Sequence, residues 1–167
     1  YMWRDSDEPR GPTFDWIDIS GTGTPITGLD DDNYVGPFPI GFNFPFYGEM
    51  RDEFIASANG WISFSSHNGA WSNISIPNPE APLDLISPFW DDLDPLQPGA
   101  SVRYWTNNED SLVVSFLEVP HWGSSITGTY TFQMILTADG HITFQYQTLT
   151  GNYQSCTVGI QNGTGTD

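Results

Sequence analysis

The sequence contains no lysine and only four arginines, against 21 aspartate and glutamate residues. The formal net charge of −17 repels nucleic-acid phosphates and anionic membrane surfaces, so we expect no nucleic-acid partner. Such a surface attracts cations, and a charged coat that only maintains solubility is the alternative interpretation. The acids are unevenly distributed, because 16 lie at or before Asp94 and five lie after it. An unspecific coat would be spread more evenly.

Cysteine and long apolar runs are also scarce. The single cysteine, Cys156, cannot form an internal disulfide bond, and its apolar neighbours predict a buried, unreactive thiol. No run of about 18 apolar residues is present, so we expect no membrane insertion. No signal-peptide pattern appears at the start, which indicates either a signal that has been removed or a segment of a larger chain.

Helical patterns are missing, because alanine and leucine are scarce and glycine, proline, serine and threonine interrupt every segment. Short runs of β-branched and aromatic residues recur between turn residues instead, as is typical of a β-sandwich. We therefore predict an all-β fold, a two-sheet antiparallel β-sandwich with few or no helices. The length favours a single domain, 1–167.

Several segments predict individual strands and hairpins. Residues 35–49 carry apolar side chains at a strict period of two, which predicts an extended chain with one buried face. Three prolines in this segment predict an edge strand or bulges, because proline cannot donate to a sheet. Asn59-Gly60 and Asp139-Gly140 predict two hairpins, the second with a type I′ turn.

The two ends of the chain predict further strands. Residues 13–21 alternate in part between apolar and polar side chains, which indicates a strand. Residues 155–163 form the last predicted strand, and the sequence stops directly after its turn residues. The domain is therefore expected to have an open edge that another segment or molecule covers, unless residues 1–3 cover it.

The stretch ISPFWDDLDP, residues 86–95, places three aspartates at the end of a predicted buried strand. On an extended strand Asp92 and Asp94 point the same way, and calcium takes six to eight oxygen ligands from carboxylates, carbonyls and water. Solvated strand ends and Asx turns are the alternative explanation. Two other acidic stretches repeat the D-x-D spacing, and the candidate calcium ligands are therefore Asp5, Asp7, Asp30, Asp31, Asp32, Asn33, Asp91, Asp92 and Asp94.

Patterns typical of catalysis are weak, and we expect no enzymatic activity. Glycoside hydrolysis needs two carboxylates on opposite sides of the scissile bond, whereas Asp92 and Asp94 would lie on one side. The three histidines, His67, His121 and His141, are too far apart in sequence to suggest a zinc site. No G-x-S-x-G nucleophile motif is present.

Aromatic side chains offer a second kind of binding site. Trp71 and Trp122 lie in polar loop contexts, where an exposed indole can stack on a sugar and neighbours such as His121 can bind hydroxyl groups. The alternative is that both indoles cover the ends of the sandwich. The remaining strand tryptophans are predicted to lie in the core, and these are Trp16, Trp61, Trp90 and Trp105.

Four segments carry a family likeness, and these are residues 39–49, 55–66, 76–95 and 129–167. They resemble repeat-flanking domains of secreted bacterial surface proteins and proteases and, more remotely, the NIDO domain of nidogen. The matching motifs resemble SNG(F/W)ISF, PFW-x-D-x-D and a long hairpin that carries FQ, L, DG and F-x-Y. The likeness covers residues 36–167 and leaves residues 1–35 as acidic N-terminal strands and loops.

This resemblance implies a secreted or cell-surface β-sandwich that acts as an adhesive or accessory module. We therefore expect a non-catalytic binding module stabilised by calcium, with extracellular polysaccharide or other copies of the protein as partners. The first alternative is a self-assembling surface or filament subunit that strand exchange between copies completes. The second alternative is a carbohydrate-active enzyme or module.

Overall fold

The computed structural model describes residues 1–123 and 128–167, and these form ten β-strands and no helix. None of the described segments provides a helix able to cross a membrane. The all-β prediction is therefore confirmed. The strands are β1 (Thr24–Pro25), β2 (Tyr34–Phe46), β3 (Glu49–Ser57), β4 (Ile62–Ser63), β5 (Leu85–Trp90), β6 (Ser101–Thr106), β7 (Ser111–Pro120), β8 (Thr129–Thr137), β9 (Ile142–Leu149) and β10 (Thr157–Gln161).

The strands form two five-stranded antiparallel sheets, which confirms the predicted sandwich. Sheet A has the strand order β1-β6-β7-β8-β9, and sheet B has the order β10-β5-β4-β3-β2. Their facing side chains form the main hydrophobic core. Phe89 of β5 contacts the rings of Tyr130 and Phe132 of β8, at centroid distances of 4.6 and 5.4 Å. Burial of these large rings holds the two sheets together.

The proline-rich segment forms β2, the edge strand of sheet B. Its apolar alternation is confirmed, because Ile40, Phe44 and Phe46 are fully buried. The register with β3 shifts twice along the pair. Both predicted consequences of the prolines, an edge position and bulges, are therefore present, since proline lacks the N–H that a central strand must donate.

The two predicted hairpins exist, but the predicted type I′ turn between β8 and β9 is wrong. Type I′ needs a positive φ at both central residues, and only Gly140 has one, at 89°. The Thr137 N–H donates to His141 O over 3.1 Å, which closes a three-residue loop. The hairpin between β3 and β4 has the same kind of loop.

The predicted strand at residues 13–21 is also wrong. Residues 12–20, here called the N-terminal segment, pair with no strand. The Asp15 N–H donates to Gln145 Oε1, and Gln145 Nε2 donates to Asp15 O, both over 2.8 Å. Gln145 belongs to β9, and its side chain faces away from the core because its neighbour Phe144 packs against the core. The segment therefore crosses the outer face of sheet A, where no strand edge is available for pairing.

The last strand lies at an edge, as predicted. β10 pairs with β5 and forms one edge of sheet B. The Tyr1 ring instead contacts Phe46 and Tyr47, at the end of β2 on the opposite edge of that sheet. The first residues therefore do not cover β10.

The tryptophans and the cysteine match their predicted burial only in part. Trp61 and Trp90 are fully buried, whereas Trp16 and Trp105 are half-buried on or beside the outer face of sheet A. Cys156 is half-buried and precedes β10. Burial raises the pKa of its thiol to about 11, so the thiol is protonated at neutral pH.

Candidate functional site

Two acidic loops meet at one end of the sandwich. Asp31 and Asp32 lie in the turn before β2, and Asp92 lies just after β5. One carboxylate oxygen from each residue lies within 4.8 Å of the other two. We call these three residues the aspartate cluster. In the sequence Asp92 lies about 60 positions after the adjacent pair Asp31 and Asp32, and the sandwich brings the three together.

A buried asparagine between the two loops positions the cluster. Asn59 is fully buried in the loop between β3 and β4. Its Nδ2 donates to Asp32 Oδ1 over 3.1 Å and to Gly69 O over 3.2 Å. Its Oδ1 accepts a hydrogen bond from the Leu93 N–H over 2.8 Å. One side chain therefore ties together the Asp32 turn, the long loop after β4 and the chain that follows Asp92.

The loop after β4 presses directly on the Asp32 turn. A Cβ atom added at Gly69 would lie 1.9 Å from Asp32 O, a distance that no side chain can occupy. Asp32 itself has a φ of 49°, in the left-handed region that aspartate tolerates better than most residues. The turn is therefore held by close backbone packing as well as by Asn59.

Electrostatics inside the cluster are unfavourable when all three groups are ionised. Burial and the nearby Asp32 and Asp94 carboxylates raise the pKa of Asp31. Burial and the Asp32 carboxylate likewise raise the pKa of Asp92. Asp31 Oδ1 is buried and has no hydrogen-bond partner among the described residues. A positive charge at this point would relieve both the repulsion and the unsatisfied oxygen.

The chemistry of these groups suits a hard divalent cation. Calcium prefers carboxylate and carbonyl oxygens and completes its shell with water. The cluster supplies three carboxylates whose like charges repel one another, and a bound cation would favour their ionised forms. The residues that would hold such an ion are Asp31, Asp32 and Asp92.

Asp91 belongs to a separate polar network. Its Oδ1 lies 3.3 Å from His121 Nε2, and its Oδ2 accepts a hydrogen bond of 2.5 Å from Ser155 Oγ. These are the residue types of a serine hydrolase, but the serine donates to the aspartate and not to the histidine. The arrangement therefore does not activate Ser155 as a nucleophile, for which the histidine would have to accept its proton.

Other predicted ligands have structural partners. Asp30 Oδ1 accepts from the Asp31 N–H over 2.8 Å, and Asn33 Oδ1 accepts from the Asp30 N–H over the same distance. Asp94 is nearly buried, and its Oδ2 accepts from Gln97 Nε2 over 2.5 Å. These side chains stabilise turns that flank the cluster.

The first acidic stretch lies outside the cluster. The Asp7 N–H donates to Asp5 Oδ1 over 3.0 Å, which forms an exposed Asx turn. The structure thus brings Asp31, Asp32 and Asp92 together and does not add Asp5 or Asp7 to them.

The predicted aromatic contacts border the cluster. The backbone N–H of Trp122 donates to Asp92 O over 2.8 Å. Hydrogen bonding by the Trp122 side chain lowers the pKa of Asp31, against the larger effects of burial and the neighbouring carboxylates. Trp71 lies two residues after Gly69, the glycine that packs on Asp32, and so belongs to the same loop. Both indoles are 51% exposed, so neither forms a closed cover over the end of the sandwich. His121 Nδ1 lies 2.9 Å from Trp122 O.

Sequence reasoning missed Asn59 as a site residue. Its position before Gly60 marked it as a turn residue, and that role is real, but its buried amide also organises the cluster. The signal in the sequence was its place in a hairpin loop between two apolar strands, where a buried amide needs several partners.

Comparison with known proteins supports the family likeness. The family model described as NIDO related matches residues 9–167. The match extends further toward the N-terminus than the resemblance at residues 36–167. It therefore includes the N-terminal segment and both acidic loops of the cluster. No solved structure matches the chain.

Proposed function

The chain belongs to the NIDO-related family, and we propose that this member is a non-catalytic extracellular binding module whose loops are tied together by calcium at the aspartate cluster. The supporting observation is the meeting of Asp31, Asp32 and Asp92, with one carboxylate oxygen of each within 4.8 Å of the other two. Asp31 Oδ1 is also buried and has no protein partner among the described residues. Calcium would add an ionic link between two loops that Asn59 already joins.

The surroundings of the cluster support a binding role for this end of the sandwich. Trp71 and Trp122 present half-exposed indoles next to the same loops, and His121 lies beside Trp122. Exposed indoles next to polar groups favour contacts with extracellular polysaccharide or with the surface of another protein copy. Calcium would fix the loops that carry these side chains, so binding and ion occupancy would be coupled.

Thermal unfolding tests the calcium site directly. We expect excess calcium to raise the melting temperature of the chelator-treated protein by roughly 5 to 10 °C. This range follows because a ligand at about 100 times its dissociation constant stabilises the native state by about 2.7 kcal/mol, and each kcal/mol is worth about 2 to 4 °C at this size. Magnesium and sodium at matched ionic strength should give a much smaller rise, because they would act mainly by screening.

Matched variants separate the site from the general acidity of the surface. Asp31→Asn and Asp92→Asn should each abolish the calcium-specific rise, because each removes a carboxylate ligand. Asp7→Asn removes the same charge from an exposed turn outside the cluster and should keep the full rise. Equal responses of all three variants, or equal effects of calcium and sodium, would contradict the proposed site.

A further inference from the structure

A second groove lies on the outer face of sheet A, away from the aspartate cluster. Its cavity volume is about 450 Å³, within the usual range for small-ligand sites. The N-terminal segment forms one wall, and residues of β6 to β9 form the floor and the other wall. The residues that carry the argument are Trp16, Asp18, Arg103, Glu118, Thr131 and Gln147.

Two β-bulges converge on this groove from opposite sides of β8. Between the pairs Phe116–Phe132 and Val119–Tyr130, β7 has two residues and β8 has only Thr131. On the other side, Thr131 pairs with Thr148 while Phe132 pairs with Tyr146, so β9 carries Gln147 as an extra residue. A bulge re-aims side chains, and both bulges place a polar side chain in the groove, Glu118 from β7 and Gln147 from β9.

The backbone at Glu118 is strained, and this conformation directs the Glu118 side chain into the groove. Its φ is 52°, a conformation that costs about 1 kcal/mol or more for a residue other than glycine. Its N–H donates to Thr131 Oγ1 over 3.0 Å, so the floor of the groove holds the strained residue in position. Strain of this kind is kept most often where a side chain must point at a ligand.

The wall opposite the bulges carries an aromatic ring and is anchored to the sheet. Trp16 is half-buried and stacks with Phe14 at a centroid distance of 6.3 Å. Arg103 donates to Gly23 O over 2.6 Å, which uses one of its five N–H donors and holds the guanidinium at the groove. Asp15 is fixed by the two hydrogen bonds to Gln145.

The polar floor continues beneath the N-terminal segment. Arg103, Ser115, Gln133 and Gln145 face one another in register across β6 to β9. Ser115 and Gln133 are fully buried, and neither Ser115 Oγ nor either amide atom of Gln133 has a partner within residues 1–123 and 128–167. Buried polar groups without partners are rare, and these make the sheet face under the N-terminal segment unusually polar. They lie one row along the strands from Thr131 and Leu117 of the groove.

The groups that line the groove indicate which class of ligand it could bind. The groove combines an indole with hydroxyl, amide, carboxylate and guanidinium groups, the set that recognises the faces and hydroxyl groups of sugars. An extended peptide is disfavoured, because a sheet face offers no free strand edge and the groove offers no deep apolar pocket. An anionic glycan is disfavoured, because Asp18 and Glu118 outnumber Arg103 and the whole chain carries −17.

We propose that the bulge-lined groove on sheet A binds a neutral oligosaccharide, with Trp16 stacking on a sugar ring and Glu118, Gln147 and Arg103 bonding its hydroxyl groups. The groove shares no residue with the aspartate cluster. The proposal therefore stands or fails independently of calcium.

A microarray of neutral glucans, mannans, galactans and xylans tests this proposal, with uronate-containing and sulfated oligosaccharides and an unstructured-peptide library as further probes. The best neutral oligosaccharide is then titrated by calorimetry, both in chelator and in excess calcium. Trp16→Ala should weaken its binding at least about tenfold, because stacking is the largest apolar contact. Glu118→Gln and Gln147→Ala should each weaken it about three- to tenfold and also cover the case in which Trp16→Ala unfolds.

Matched controls decide the location of the site. Tyr153→Ala removes an exposed aromatic ring that lines neither the groove nor the aspartate cluster, and it should leave binding within about twofold of the original chain. Trp122→Ala removes an indole next to the aspartate cluster and reports whether the sugar binds at that end instead. Binding of peptides or anionic glycans alone, no binding of any probe, or a loss with Trp122→Ala but not with the groove variants would overturn the proposal.

Discussion

At the scale of single residues, Asn59 connects structure and function most directly. It lies in a hairpin turn, and its buried side-chain amide forms hydrogen bonds to Asp32, Gly69 and Leu93 that position the aspartate cluster. Hydrogen bonds to a charged group stabilise a protein by about 1.5 to 3 kcal/mol, more than bonds between neutral groups. The bond to Asp32 therefore stabilises the fold and aims a carboxylate at the same time.

We expect Asn59→Ala to lower the free energy of unfolding by about 2 to 4 kcal/mol, because the buried Leu93 N–H loses its acceptor and Asp32 loses a donor. Urea denaturation in chelator measures this loss. Asn68→Ala is the matched control, because Asn68 caps the Ala70 N–H from an exposed position and should cost less than about 1 kcal/mol. Equal costs for the two variants would show that the buried amide has no special role.

At the scale of elements, the local alternation of apolar and polar residues predicts most strands. It fails where tertiary packing determines the conformation of a segment. The alternation of β2 and the turn residues of the hairpins are local signals, and both elements are present. The N-terminal segment has a similar alternation, but it lies on a sheet face. There the side chain of Gln145 forms the two backbone hydrogen bonds with Asp15 that a neighbouring strand would otherwise form. The two bulges beside Thr131 depend on pairing between strands and leave no signal in any one strand.

The candidate site likewise has features that local sequence shows and features that only the tertiary fold determines. The D-x-D spacing drew attention to the two loops that carry Asp31, Asp32 and Asp92, which the structure places side by side. The spacing does not show which carboxylates meet, since that depends on the meeting of two loops about 60 residues apart in sequence. Asp94, two positions from Asp92, bonds instead to Gln97.

The long loop after β4 tests this tertiary dependence. We expect Gly69→Ala to push the loop away from the Asp32 turn, because the new methyl group would lie 1.9 Å from Asp32 O. Overpacking against backbone costs about 1 to 3 kcal/mol, so the melting temperature should fall and the calcium-specific rise should shrink. Gly21→Ala meets no atom within 4 Å and serves as the control in the same melts. A Gly69→Ala variant with an unchanged calcium response would contradict this account of the turn.

At the scale of the whole molecule, the excess of negative charge and the raised pKa values of Asp31 and Asp92 both affect stability. The acids before Asp94 are more numerous than those after it, and the aspartate cluster lies within that acidic part. In chelator these charges repel one another and destabilise the compact state. A cation or a proton would relieve the same repulsion, so the two should compete at the cluster.

This competition predicts an unusual pH dependence. A carboxylate whose pKa is raised on folding binds its proton more tightly in the native state, so stability increases as the pH falls from neutral toward the pKa values of Asp31 and Asp92. We therefore expect the chelator-treated protein to melt at a higher temperature in mildly acidic solution than near about pH 7. Excess calcium should stabilise the pH 7 sample more and reduce or reverse the difference, because bound calcium favours the ionised carboxylates.

The variant that removes one of these groups provides the decisive comparison. Asp31→Asn is uncharged at both pH values, so in chelator it should be more stable than the original chain at neutral pH and should show a smaller gain on acidification. Asp7→Asn, which removes a charge from an exposed turn outside the cluster, should keep the original gain. Melting curves of the three proteins at both pH values measure this. If Asp31→Asn retained the full gain, the pH response would come from the general surface charge, and the cluster would have no special affinity for protons or cations.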